Sequence, residues 1–149
     1  MSNEICLDAN VFVSMISPDP AHTHCVELFR HIEANHILLF EPALVVFETL
    51  SALRKKSADK SMSETEASAA LDFFYQLPLF LQWQEALLQE ALSLSHRLDC
   101  KTTNDTSYLA VATTRKIPFV TLDANFYTKA KQAHFQTYSV EEFLNKILK

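Results

Sequence analysis

Four acidic residues stand where carboxylates can do chemistry: Asp8, Glu48, Asp105 and Asp123. Asp8 directly follows the apolar run Ile5, Cys6, Leu7, and Asp123 follows "FVTL" (119–122) in the same way. Asp105 lies in the loop that opens a helical stretch over 106–115, with Tyr108 and Leu109 three and four residues on, along the same side. Glu48 interrupts an apolar face, with Leu44 four residues before it and Ala52 four after. A carboxylate buried there is costly unless something compensates it. Carboxylates brought together raise one another's pKa, and a hard divalent cation resolves the repulsion. Mg²⁺ or Mn²⁺ prefers oxygen ligands, keeps several waters and often needs only one or two direct carboxylates. Such an ion activates water and stabilises in-line displacement at phosphorus, so the natural reaction is metal-dependent phosphodiester hydrolysis.

Each acid also has a plainer reading. Asp8, Asp105 and Asp123 each suit a helix N-cap. Glu48 suits an amphipathic helix whose acid reaches out to water. Taken together, two acids end strands, one opens a helix and one breaks an apolar face, a combination that caps alone explain poorly.

The elements that must position these acids follow from the pattern of apolar residues. Short apolar runs near 4–7, 37–40, 79–82 and 118–122 read as strands, with a weaker one at "FQTYS" (135–139). Between them, helical spacing marks 9–16, a stretch from Ala21, 43–56, Ser63 to about Leu77, 84–98, 106–115, 124–131 and 140–148. Ser63 with Glu66 three residues on forms a capping-box pattern. Strands alternating with helices predict an α/β sandwich around a mainly parallel sheet. In such sheets, sites form at the carboxyl ends of strands near the topological switch point. If the strands before Asp8 and Asp123 are neighbours, the two carboxylates sit side by side, about 5 Å apart in strand spacing.

Composition narrows the function. The chain has 149 residues with no linker-like stretch, which predicts one domain over 1–149. The formal net charge of −5 means that a phosphate-bearing substrate must be held by local cations or a metal. The absence of glycine excludes glycine-rich phosphate loops and leaves tight turns to Asn, Asp, Pro and Ser. Three widely spaced cysteines with no CxxC argue against a disulfide framework or structural zinc. No basic leader and no run of about 18 apolar residues is present, so the expected setting is cytoplasmic, with no membrane span. His22 and His24 are two residues apart and do not share a helix face, so they read as an exposed helix start. Arg54, Lys55 and Lys56 end the Glu48 helix; they suit its C-terminal dipole and equally suit phosphate contacts, with Arg54 and Lys55 the substrate-binding candidates. Arg115 and Lys116 read as dipole partners. The aromatic stretch "LDFFYQLPLFLQW" (71–83) is expected in the core.

"LDANVF" (7–12), Glu48 within "VVFETLSALRKK" (45–56), Asp105 within "NDTSYLAVA" (104–112) and "FVTLDANF" (119–126) resemble the motifs of PIN-domain proteins, most closely the VapC-type ribonuclease toxins. The resemblance covers nearly the whole chain. Its most specific parts are Asp8–x–Asn10 after the first strand and Thr121–x–Asp123. It implies a four- to five-stranded parallel sheet with helices on both faces and Mg²⁺- or Mn²⁺-dependent RNA cleavage. Asp8, Glu48, Asp105 and Asp123 match the family's metal-binding acids. Asn10 and Thr121 match the polar positions that orient them, a role hydrogen bonding to carboxylates can fill. The resemblance further implies a cognate antitoxin partner and a homodimer. Departures from the pattern are the missing glycines, Asn104 before Asp105, and Asn125 where some members place another acid. They leave Asp99, Asn104 and Asn125 as further site candidates and predict one firmly held ion, with a second that binds alongside substrate. The rival expectation is a PIN-like module that binds RNA or protein without cleaving. A phosphatase using Asp8 as nucleophile ranks below both, because Asn10 replaces the second acid of a DxD start.

Overall fold

The computed structural model describes residues 3–147. In chain order the elements are β1 (Glu4–Leu7), α1 (Ala9–Ile16), α2 (His22–Ala34), β2 (Leu38–Pro42), α3 (Leu44–Ala58), α4 (Glu64–Tyr75), β3 (Leu79–Gln82), α5 (Glu85–Arg97), α6 (Asn104–Arg115), β4 (Phe119–Thr121), α7 (Ala124–Gln132), β5 (Thr137–Ser139) and α8 (Val140–Ile147). The five strands form one sheet in the order β3-β2-β1-β4-β5, with every pairing parallel. The expected parallel α/β sandwich is what the chain adopts.

Strands β1 to β3 are laid down in one direction, and β4 then crosses back to the other side of β1. Right-handed crossovers in opposite directions put α1 to α4 on one face and α5 to α7 on the other. On the first face α1 packs on α2, α3 and α4, while on the second α6 lies across β1, β2 and β4 with α5 against it. The reversal falls between β1 and β4, so their carboxyl ends flank the natural crevice of the sheet.

The central strands are buried on both faces, which accounts for their continuous apolar runs. Ile5, Leu7, Val11, Phe12, Leu28, Tyr108, Leu109, Ile117 and Phe119 form the heart of the core, all essentially closed to solvent. Each large side chain buried in this way contributes about 1.5–3 kcal/mol. Ser63 and Glu66 form the capping box at the start of α4, each side chain bonding the other's backbone N–H at 3.0 Å.

Three expectations are corrected. Asn104 and Asp105 belong to the first turn of α6, whose N-cap position is Thr103, so Asp105 is neither in the preceding loop nor the cap. Most of the aromatic stretch over 71–83 lies outside the core: Phe74 is buried, whereas Phe73, Tyr75, Phe80 and Trp83 are exposed. For Phe80 and Trp83 the cause is position, because β3 is an edge strand; on α4 only the side that carries Ala70 and Phe74 is buried, with Phe74 packed against Phe12 of α1. Finally, the left-handed residues that end helices are His36, Lys60, Asp99, Lys116 and His134, of which only Asp99 is a customary turn former. Each helix end closes with paired backbone bonds, as in Lys116 N to Thr113 O (3.3 Å) and Ile117 N to Ala112 O (2.9 Å). These bonds, with apolar anchors such as Ile37, Ile117 and Phe135, hold residues with a Cβ in a conformation that glycine fills more easily.

Arg115 also does more than face a dipole: it pairs with Glu4 at 2.9 Å and lies 3.5 Å from the centre of the Phe40 ring. Among the described residues, no helix is long and apolar enough to cross a membrane.

Candidate active site

Leu7 pairs with Val120 across the β1–β4 seam, so the residues that follow each strand emerge side by side. Asp8 N continues this ladder by donating to Val120 O at 2.9 Å. Asp8 occupies the N-cap position of α1, but its side chain does not cap the helix. It turns instead to Thr121, whose hydroxyl donates to Asp8 Oδ2 at 2.7 Å, and to Asn10, whose amide donates to the same oxygen at 3.3 Å. Thr121 Oγ1 in turn accepts from Asp123 N at 3.0 Å, and Asn10 Oδ1 accepts from Leu122 N at 3.2 Å. Asn10 and Thr121 therefore tie the two strand ends together. Asp123 does cap its helix, with Oδ1 accepting from Asn125 N and Phe126 N. Its other oxygen is left for a second partner.

Glu48 projects from α3 and Asp105 from the first turn of α6. Both line one cleft of about 290 Å³ with Asp8 and Asp123; Ala9, Asn10, Val13, Ser14, Asp19 and Ala52 complete its walls. Tyr108, fully buried on α6, donates its hydroxyl to Glu48 Oε1 at 2.5 Å. The buried stripe of α3 is Val45, Thr49 and Leu53, whereas Phe47 and Leu50, expected to close an apolar face around Glu48, are exposed. Glu48 stands half-buried at the cleft with Tyr108 as a specific donor to one oxygen.

The electrostatics record the crowding. Burial pushes the Asp8 carboxyl up to about 7; the Thr121 bond draws it part of the way back, while the charges of Asp105 and Glu48 push it further up. Asp105 is raised too, first by burial and then by Asp123 and Glu48, against the pull of Lys129. Burial and donation to Glu48 hold Tyr108 firmly protonated, as a donor.

An all-oxygen donor set with mutual repulsion suits a hard divalent cation. Among the described residues, no three acidic, His or Cys side chains close on one point as a preformed cage. The set therefore fits an ion held by one or two carboxylates with water in its remaining positions, as Mg²⁺ favours. Asp8 and Asp123 are both fixed by hydrogen bonds at neighbouring strand ends.

The basic residues separate. Lys56 is occupied by Ser17 Oγ (2.8 Å), Pro18 O (2.6 Å) and Asp19 Oδ2 (3.5 Å), and it pins α3 to the loop before α2. Arg54 lies along the groove between α3 and α4, off the cleft. Lys55 is exposed and stands two helical turns beyond Glu48, on the same side of α3. Asp99 is exposed and left-handed after α5, and neither it, Asn104 nor Asn125 lines the cleft. His22 bonds Ser14 O at 2.9 Å, and His24 is exposed.

Sequence reasoning passed over Asp19, Ser14 and Glu41. Asp19 sits between Pro18 and Pro20 and reads as punctuation. Glu41 is a fully buried acid in β2, raised by burial and held by Leu7 N–H. The signal for Glu41 was an acid inside the run "ILLFEP".

Solved structures share this fold. PAE2754 from Pyrobaculum aerophilum aligns with 21% identity and a TM-score of 0.66, covering 99% of this chain and 98% of its own. VapC20 of Mycobacterium tuberculosis, described as a sarcin-ricin loop cleaving toxin, aligns with 17% identity and a TM-score of 0.63, covering 82% of this chain and 92% of its own. A structure of FitAB bound to the IR36 DNA fragment gives 13% identity and a TM-score of 0.65, with 91% and 94% covered. No curated protein matches in sequence. The model of the PIN domain matches residues 5–132, and the chain belongs to the PIN domain family.

Proposed function

We propose that residues 1–149 form one PIN domain acting as an Mg²⁺- or Mn²⁺-dependent endoribonuclease, the toxin of a toxin–antitoxin pair. The observation that carries this reading is the supply of four carboxylates, from β1, α3, α6 and the end of β4, to one cleft at the switch point of the sheet. Membership of the PIN domain family and the fold shared with a toxin that cleaves the sarcin-ricin loop support it.

Asp8, Asp123, Asp105 and Glu48 would hold the ion, which supplies charge neutralisation at phosphorus and acidification of water. The residues of the chain do the rest. Thr121 and Asn10 fix Asp8, Tyr108 fixes Glu48, and the capping bonds at Oδ1 fix Asp123. Carboxylate oxygens of this set that are left free of the ion would take up the proton released as water attacks phosphorus. Lys55 is the cation on the cleft side of α3 available to an RNA phosphate.

The acidic cleft would be neutralised in the inactive complex by a cationic side chain from the antitoxin. Exposed Phe47 and Leu50 on α3 and Leu88 and Leu92 on α5 offer apolar surface for pairing two copies. A cytoplasmic setting suits an RNA substrate.

The test is cleavage of single-stranded RNA with Mg²⁺ or Mn²⁺ by the wild type and by folded Asp8→Asn and Asp123→Asn. Loss of cleavage in both is expected. Undiminished cleavage in both variants would overturn the assignment, and absence of metal-dependent cleavage by the wild type would favour a non-catalytic binding module.

A further inference from the structure

Glu41 does not line the cleft, yet it is a wholly buried carboxyl on the strand next to β1, which leads into Asp8. The ladders explain where it sits. Strand β2 stays in register with β3 over four pairs, from Leu39↔Leu79 to Pro42↔Gln82. With β1 it pairs only at Glu4↔Leu38 and Ile5↔Leu39. Beyond Ile5, β1 continues against β4 alone: Cys6 N donates to Pro118 O at 3.0 Å and Asp8 N to Val120 O at 2.9 Å.

Backbone N–H groups alternate in direction along a strand, so Leu7 N–H between those two faces β2. It meets no β2 carbonyl. Glu41 Oε1 accepts it at 2.7 Å, and Glu41 Oε2 faces Cys6 Sγ at 3.6 Å. A side-chain carboxyl therefore replaces a rung of the ladder at the point where β1 parts from β2, one residue before Asp8. A plain continuation of the ladder would satisfy Leu7 N–H with a backbone carbonyl, and no acid would need to be buried.

We propose that Glu41 is the positioning residue for Asp8: by gripping Leu7 N–H it sets the course of the carboxyl end of β1 and aims the Asp8 carboxylate at Thr121 and the cleft. The two successive peptides that lead into Asp8 are then held on opposite flanks, the first by Glu41 on the β2 side through Leu7 N–H and the second by Val120 O on the β4 side through Asp8 N–H. This inference rests on the metal-site reading for its functional consequence and on the β1 geometry alone for its structural one.

Three variants test it. Glu41→Gln keeps an acceptor oxygen in nearly the same shape. Glu41→Met keeps the bulk and removes the acceptor. Glu41→Asp withdraws the acceptor by one methylene and serves if the Met variant does not fold. With thermal melts as the folding control, Mn²⁺ binding is expected within about twofold of wild type for Gln and weakened about tenfold or more for Met and Asp. Cleavage by the Met and Asp variants should lose kcat with little change in KM for RNA. Crystal structures of the same variants give a readout independent of metal and activity: Asp8 Oδ2 should leave Thr121 Oγ1 in Met or Asp and keep it in Gln. An undisturbed Asp8 in folded Met or Asp overturns the proposal, as does a Gln variant as defective as Met. If the wild type neither binds Mn²⁺ nor cleaves RNA, the functional reading fails, while the structures still decide the role of Glu41.

Discussion

Tyr108 donates its hydroxyl to Glu48 Oε1 at 2.5 Å, joining α6 on one face of the sheet to α3 on the other past the carboxyl end of β1. The buried phenol engages one oxygen of Glu48, a residue that lines the cleft. Tyr108→Phe removes one atom and keeps the stacking on Phe119, whose ring centre lies 6.3 Å away. The variant should fold, lose about 1–3 kcal/mol because Glu48 is left with an unmet acceptor, and cleave RNA more slowly. Chemical denaturation and single-turnover cleavage measure both effects. Wild-type cleavage by the folded variant would show that the bond does not orient Glu48 for the reaction.

Thr121 is the corresponding link between the two strand-end acids, donating to Asp8 and accepting from Asp123 N. Thr121→Val preserves shape and removes both bonds. Activity should fall about 10–100-fold, as for outer-shell partners of metal ligands generally. Thr121→Ser should recover most of it. Equal loss in both variants would assign the effect to packing rather than to the hydroxyl.

On α3, helical phase separates two neighbouring cations. Lys55→Ala should raise KM for RNA and reduce the salt dependence of binding by about one phosphate contact. Arg54→Ala, whose side chain lines the α3–α4 groove, should leave both unchanged. The reverse result would place the RNA path along α4.

Much of this arrangement can be read from the chain because its signals are local. An acid directly after a continuous apolar run marks a strand end, as at Asp8 and Asp123, and the Ser63–Glu66 box marks its own helix start. What escapes the sequence depends on partners far along the chain. An acid in "ILLFEP" announces that it needs compensation, but its donor, Leu7 N, is 34 residues away and is freed only because β1 leaves β2. Lys56 reads only as the last of three cations at a helix end until Asp19, 37 residues earlier, is folded against it. The exposure of Phe80 and Trp83 follows from the place of β3 at the sheet edge, which composition does not encode.

The helix ends of a glycine-free chain carry a second stability prediction. Lys116 follows α6 at φ 57°, ψ 47°, a region that costs a residue with a Cβ roughly 1–2 kcal/mol. Lys116→Gly relieves that strain but widens the unfolded ensemble, so the expected net gain is about 0.5–1 kcal/mol. A rise in melting temperature checks it. A fall would mean that the side chain itself contributes more than its strained backbone costs.

The pH dependence of stability follows from Asp8. Its folded pKa of about 7 lies above the ordinary 3.8, so between those values the native chain keeps a proton that the unfolded chain has released. Raising the pH through that window therefore favours unfolding. Above about 7 the cost is fully present, on the order of 4 kcal/mol by linkage. Metal-free protein should lose stability between about pH 4 and 7, and Mn²⁺ should restore it by binding only the folded, ionised site. Asp8→Asn removes the charge that must be buried, so it should flatten the pH slope and stabilise the metal-free protein while abolishing the gain from Mn²⁺. Thermal melts of both proteins across this range, with and without the ion, are sufficient. A slope that persists in Asp8→Asn would assign the titration to another group, with Asp105, also raised by its neighbours, the next to substitute.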